Sequence, residues 1–165
     1  MTGLAEKVRR ALSEVSLSNG VGIRAIENDD DLWFAVVECR ITPEQEEFVN
    51  PAGFSIGRAY LRPEDNLPCV IFKDDGTLIG YIVFRKWLGE GEALSWSYYI
   101  DKRYQGQGYG RASAMLAVRV LRAAFPDMPI KLSTEADNLK AQRLYQSIGF
   151  KRTVEKDGDD LVFMI

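Results

Sequence analysis

The sequence predicts an α/β fold built on a mixed sheet, and three observations carry that prediction. Apolar residues recur at helical spacing in some segments and alternate with period two in others, so helices and strands share the chain. A strand pattern from Ala93 to Ile100 runs into Gln105-Gly106-Gln107-Gly108-Tyr109-Gly110, and a long helix pattern from Arg111 to Phe125 follows. At 165 residues and 46% apolar composition the chain is long enough for one full core, and it shows no repeat, low-complexity tract or linker. One domain over residues 1–165 is therefore expected, with an extra helix in 1–19 and the core in 21–165.

The elements follow in order. Leu4, Val8, Leu12 and Val15 make an amphipathic stripe that ends at Ser18-Asn19-Gly20. This helix could dock on its own body or on a second subunit, which leaves a homodimer open. Val21 to Ile26 alternates as a first strand. Asn28 and the three aspartates after it offer N-cap chemistry for a helix through Trp33, Val37 and Cys39. Thr42-Pro43-Glu44-Gln45 opens another, with Thr42 as cap, Pro43 at the first helical position and Gln45 as capping-box partner. A short helix is expected over Ser55 to Tyr60, and a loop over Arg62 to Pro68. Val70 to Phe72 and Leu78 to Trp87 flank Lys73-Asp74-Asp75-Gly76 and predict a hairpin. Beyond the long helix, Ile130 to Thr134 alternates as a strand. Asn138 to Ile148 carries a helical stripe of Ala141, Leu144, Tyr145 and Ile148, stopped by Gly149. Two closing strands, Phe150 to Lys156 and Leu161 to Met164, join through Asp157-Gly158.

Composition narrows the function. Twenty-one basic against 24 acidic residues give a net charge of −3, unlike a surface built to neutralise nucleic acid. No apolar run approaches the ~18 residues of a membrane-spanning helix, and the first ten residues lack a signal-peptide core. A cytoplasmic protein with neither nucleic-acid nor membrane partner is expected. Cys39 and Cys69 sit in apolar surroundings without metal-ligand spacing, which reads as two buried reduced thiols. No histidine is present, so Ser-His-Asp and Cys-His nucleophile systems are excluded, as is a His-ligated zinc.

The glycine loop points to a phosphate. A strand, alternating glycines and a helix start make a nest of N–H groups at the positive end of a helix dipole. A P-loop would need Gly-Lys-Ser/Thr, and no lysine follows a glycine at that spacing. A dinucleotide fingerprint starting at Gly106 would need glycine where Arg111 stands. Residues Gln105 to Gly110 instead resemble the Q/R-x-x-G-x-G/A signature of the GNAT superfamily of acetyl-CoA-dependent N-acetyltransferases. The strand ending Tyr98-Tyr99-Ile100-Asp101 and the run from Asn138 through Ala141, Leu144 and Tyr145 to Gly149-Phe150 are similar to further parts of that family. The resemblance covers Val21 to Ile165.

The resemblance implies the GNAT fold: a twisted, mostly antiparallel sheet with two splayed parallel strands, flanked by helices. It implies that the backbone of Gln105, Gly106, Gln107, Gly108, Tyr109 and Gly110 holds the coenzyme A pyrophosphate. Arg111 would add a charged contact, or simply share a solvent face with Arg119 and Arg122. The main chain of Tyr98, Tyr99 and Ile100 would pair with pantetheine, with Ser133-Thr134 as the opposite lip. Asn138 and Arg143 would contact the cofactor from the later helix, although Asn138 also suits a helix cap. Tyr145 sits where many members place the acid for the departing thiolate; a packed core tyrosine is the alternative.

The acceptor is read from the first half. Between Asn28 and Asp65 nine acids face three bases, a local charge of −6 that would attract a cation unless the acids simply solvate helix faces. The run Glu44 to Pro51, with Ser55 and Ala59-Tyr60, is similar to bacterial diamine and spermidine N-acetyltransferases. Several of those carry an acid where this chain has Trp96; Glu92, at the start of the strand, is the substitute for a catalytic role or an exposed loop acid. Trp96 and Tyr98 share a face and could stack on an alkyl chain or pack. The expected reaction is acetyl transfer from acetyl-CoA to a primary amine, a small polyamine in the first place. A peptide amine, an aminoglycoside, or acyl-CoA binding without turnover are the alternatives.

Overall fold

The computed structural model describes residues 3–165. Helix α1 spans Leu4–Glu14 and leads into strand β1, Val21–Ala25. Helix α2, Asp29–Trp33, runs into a π-helical turn, Phe34–Glu38, and is followed by α3, Pro43–Glu46, and α4, Ala52–Leu61. Strands β2 (Asn66–Lys73), β3 (Leu78–Lys86) and β4 (Leu94–Ile100) come next. A 3-10 turn at Lys102–Tyr104 precedes α5, Tyr109–Ala124, and then come β5 (Lys131–Thr134), α6 (Leu139–Ser147), β6 (Lys151–Asp157) and β7 (Asp160–Met164).

The strands form two antiparallel sheets, ordered β1-β2-β3-β4 and β5-β7-β6. They meet side by side at one parallel bridge, Leu94 with Ile130, where Leu94 N–H donates to the Pro129 carbonyl at 2.9 Å. Beyond that bridge β4 and β5 share no ladder. Helices α1 and α5 cover one face of the four-stranded sheet, with Val8, Ala114, Leu116, Ala117, Val120 and Leu121 buried against Ile71, Ile82 and Phe84. The other face is covered by the π-helical turn and α4, through Phe34, Ala35, Cys39 and Ala52 against Val70, Tyr81 and Val83. Helix α1 thus docks on its own chain, and its buried residues, Leu4, Ala5, Val8 and Ala11, lie toward its start.

Helix α4 starts three residues before the expected Ser55 and the helix expected through Cys39 turns π-helical after Trp33, and two further boundaries differ for a clear physical reason. Asn66, Leu67 and Pro68 belong to β2 rather than to a loop. Lys86 N–H donates to the Asp65 carbonyl, so the alternation of antiparallel pairs leaves Pro68, opposite Val83, in a non-hydrogen-bonded pair with β3. The N–H that proline lacks is one β3 does not need, while its carbonyl still accepts from Ile26 at 3.0 Å. Helix α5 begins at Tyr109, two residues before the predicted start, because Gly108 is itself the left-handed N-cap (φ 89°). Asn28 caps α2 by accepting from Asp31 N–H at 2.8 Å, and Gly149 (φ 108°) ends α6 as expected. Both cysteines are free and buried; burial pushes the Cys39 thiol up to about 12 and raises that of Cys69 as well. Among the described residues no helix is long and apolar enough to cross a membrane, and no group of metal-ligating side chains occurs.

Candidate active site

The site begins at a corner held by one carboxylate. Asp101, directly after β4, is buried; it accepts Arg40 N–H at 2.9 Å, Arg103 N–H at 2.9 Å and the Arg103 guanidinium at 2.8 and 3.1 Å. Burial works against its charge, but the bonds from Arg103 and Arg40 outweigh it and hold the carboxyl below the usual aspartate range. The stability this adds is fully present above about pH 4, the unfolded value, and is lost as pH falls through the lower folded value. Asp101→Ala is expected to destabilise the fold by about 2–3 kcal/mol, since it orphans two main-chain donors and a guanidinium; urea unfolding at pH 7 measures it.

The loop that follows is pinned from the side. Gln105 Nε2 donates to the Ile100 carbonyl and to Gln45 Oε1, both at 2.8 Å, and Gln45 Nε2 returns a bond to Gln105 Oε1 at 2.9 Å. Gln45 therefore does more than close a capping box at Thr42 (3.2 Å); it ties α3 to the glycine loop, sixty residues away. This pairing was invisible in the sequence because nothing local signals it.

Gly106 and Gly108 both take left-handed conformations, φ 74° and 89°, and a Cβ on either would meet no protein atom within 4 Å. The conformation demands glycine and aligns the peptide N–H groups. The space is open for a ligand. Gly110 is different: it lies in the first turn of α5, and a Cβ there would make only ordinary contacts with Tyr98 and Ile100. The free N–H groups of the first turn sit at the positive end of a sixteen-residue helix.

Beside the loop, β4 presents unpaired main chain. Asp101 N–H donates to Ile79, so Tyr99 and Ser97 direct their peptide groups to β3. Trp96, Tyr98 and Ile100 direct theirs into the gap that opens toward β5. The Ile100 carbonyl is taken by Gln105; the others face the splay. Tyr98 donates its hydroxyl to the Gly110 carbonyl at 3.0 Å and so braces the start of α5 against β4. Trp96 packs edge-on against Phe150, with ring centroids 5.8 Å apart.

A single cavity of about 810 Å³ joins these parts. It touches Gln105, Gly106, Gly108, Gly110 and Arg111 at the loop, Tyr98 to Ile100 and Ser133-Thr134 at the splay, and Asn138 and Tyr145 on α6. Asn138 is also the α6 cap, accepting Ala141 N–H at 3.2 Å. Gln107, Tyr109, Arg143 and Glu92 do not line it; Glu92 and Arg143 are exposed, Glu92 in the loop before β4. Tyr145 packs on Phe150 and Phe163, with centroids 5.8 and 6.4 Å away, and burial pushes its phenol up to about 12. It is a core tyrosine and a cavity residue at once. Burial, with Tyr145 nearby, raises the Tyr98 phenol well above its ordinary value.

The cavity continues past β4 into a second lobe between α4, β3 and the β6–β7 hairpin. Ser55, Arg58, Tyr81, Arg85, Asp157 and Asp160 face it; the Ser55 and Tyr81 hydroxyls bond to each other. None of the nine acids from Asp29 to Asp65 lines it. Asp31 is bound bidentately by Arg24, and Asp65 pairs with Lys86 at 2.7 Å. Sequence reasoning missed Arg85, although an arginine inside the strand pattern Leu78 to Trp87, on the same face by period two as the apolar Tyr81 and Val83, was the available signal.

A helix start with free N–H groups beside two splayed strands, opening on a polar lobe, is an arrangement suited to an elongated anionic cosubstrate, and it is the arrangement expected of an acyltransferase. The model of the Acetyltransferase (GNAT) family matches residues 29–150, and the chain belongs to that family. Membership makes it an acetyl-CoA-dependent N-acetyltransferase by family. The chain is similar to spermine/spermidine N(1)-acetyltransferase of Bacillus subtilis (strain 168), at 24% identity over 83% of this chain and 91% of that protein. It is 29% identical to the mycothiol acetyltransferase of Kocuria rhizophila over 84% of this chain, which spans 48% of that protein. Among solved structures, spermidine N-acetyltransferase from Vibrio cholerae in complex with CoA and spermine superposes with a TM-score of 0.64, at 16% identity over 88% of this chain and 93% of that one. That likeness is one of fold.

Proposed function

We propose that this protein moves acetyl directly from acetyl-CoA to the primary amine of a small molecule, with donor and acceptor held together. The observation that carries this reading is the continuity of the cavity from Gly106 and Gly108 to Arg58 and Arg85. Direct transfer needs both reactants in one enclosed space, where orientation lowers the barrier.

The residues divide the work. The N–H groups from Gly106 to Arg111 bind the pyrophosphate, and Arg111, exposed at the helix start, adds charge. The unpaired main chain of Trp96 and Tyr98 orients the pantetheine arm in the splay, with Ser133 and Thr134 opposite and Asn138 at the mouth of α6. Tyr145 keeps its proton at the hydroxyl and donates toward the thiolate as it departs. With an amine pKa near 10.4, only about one acceptor in a few thousand is neutral at pH 7. A carboxylate acting through water would take the proton. Glu135, Asp157 and Asp160 line the cavity; burial followed by neighbouring acids raises both Glu135 and Asp160, which makes these two the candidates for that base. Glu92, outside the cavity, fits an exposed loop acid better than a catalytic one.

A polyamine is the first acceptor to test, because of the relatives named for spermine and spermidine. The acidic first half adds little to that choice, since its carboxylates lie outside the cavity. Thiol release from acetyl-CoA with a panel of amines decides among the readings. Release with small amines is the expected result. Turnover only with peptide amines or aminoglycosides would move the acceptor to those classes, and tight acetyl-CoA binding without amine-dependent release would make the protein an acyl-CoA sensor.

A further inference from the structure

The acceptor lobe holds two arginines that the transfer reaction leaves without a task. Arg58 projects from α4 one turn after Ser55, over the Phe54 ring at 5.0 Å, and Arg85 rises from β3 two residues after Val83 on the same sheet face. Both are only partly exposed and both line the cavity. Among the described residues neither has a carboxylate within ion-pairing distance; the hydrogen bond Arg85 makes is a long one, 3.4 Å to Ser97 Oγ. The acids nearest to them in sequence, Glu64 to Arg58 and Glu90 to Arg85, do not line the cavity.

An arginine on a half-buried strand facing a cavity costs desolvation, and a second one beside it adds repulsion. The protein's own carboxylates compensate weakly: burial first, then Arg58, lower the Arg85 pKa, and Asp157 opposes them without outweighing them. Such a pair is complementary to a planar or tetrahedral oxyanion, which guanidinium groups bind through paired N–H donors.

We propose that Arg58 and Arg85 together bind an anionic oxygen group on the acceptor, a carboxylate or a phosphate, so that the amine acetylated here belongs to a molecule that also carries an acid. This rests on the transferase reading and narrows its acceptor: the anion seats between α4 and β3, and the amine reaches back along β4 toward the splay. Asp157 and Asp160 line the same lobe and can face the amine end of the acceptor, while a plain polycation would leave both guanidinium groups without a counter-charge.

The test uses matched acceptors that differ only in the anion: lysine against cadaverine, ornithine against putrescine, and phosphoethanolamine against ethanolamine, read as thiol release from acetyl-CoA. The expected result is a kcat/KM at least about 10-fold higher for the anionic member of one pair. The amino-acid pairs report a carboxylate site and the ethanolamine pair a phosphate site. In Arg85→Gln and Arg58→Gln that ratio is expected to fall toward one with acetyl-CoA affinity retained, and Arg85→Lys to keep part of it. Equal or faster turnover of cadaverine, putrescine and ethanolamine would overturn the anion site while leaving the transferase reading intact. A variant that slows both members of a pair equally would also overturn it, by showing a structural role for the arginines. No release with any amine would remove the transferase reading and this inference with it.

Discussion

Tyr145→Phe is expected to lower kcat by about 10²-fold or more, with acetyl-CoA affinity unchanged. The substitution keeps the ring against Phe150 and Phe163 and removes only the hydroxyl, so folding is spared. With its phenol pushed up to about 12, Tyr145 is fully protonated at neutral pH. A thiolate with a pKa near 8.5 cannot take that proton outright without a cost of roughly 5 kcal/mol. In the proposed reaction Tyr145 would therefore act chiefly by a hydrogen bond that strengthens as charge grows on sulfur. The pH profile follows from the same value. Because the folded pKa lies above the unfolded value of about 10, deprotonation of Tyr145 begins to remove stability only as pH rises beyond 10. Between pH 6 and 9 kcat/KM is expected to rise with the neutral fraction of the amine, with the same shape in wild type and Tyr145→Phe. Stopped assays of thiol release across that range check both expectations, and an unchanged kcat in the variant would remove Tyr145 from the reaction.

Gly108→Val is expected to weaken acetyl-CoA binding by at least about 10-fold while the protein stays folded. Valine at φ 89° is strained, at about 1–2 kcal/mol, a tolerable fraction of the ~5–15 kcal/mol typical of a domain. Relief of that strain rotates the peptide planes and disperses the N–H groups proposed to bind the phosphate. The added methyls also occupy space that is empty of protein atoms. Gly110→Ala supplies the control, since its φ is not left-handed and its Cβ finds ordinary contacts. Calorimetry with acetyl-CoA compares the two; wild-type affinity in Gly108→Val would place the phosphate elsewhere.

Much of the fold was legible because its signals are local. The stripe on α1, the Asn28 cap, the hairpin turn at Gly76 and the left-handed stop at Gly149 each depend on residues within a few positions. The misread boundaries were those where strand pairing overrode a local rule or where the spacing left the capping residue open. Pro68 reads as a strand breaker until its missing N–H is found on the side where β3 asks for none. The start of α5 moved because a glycine in a left-handed conformation capped it, a choice the Gly-x-Gly-x-Gly spacing leaves open between three positions.

The candidate site divides along the same line. The donor side lies in one continuous stretch, strand to glycine loop to helix, so the amino-acid sequence alone pointed to the loop from Gln105 to Gly110 as the start of a helix suited to an anion. The acceptor side is assembled from α4, β3 and the β6–β7 hairpin, which are distant in the chain. Only the tertiary structure decided that the acids of the first half lie outside the cavity and that Arg58 and Arg85 lie inside it. Charge counted along a chain says nothing about which charges face one another; that is set by sheet register and helix rotation.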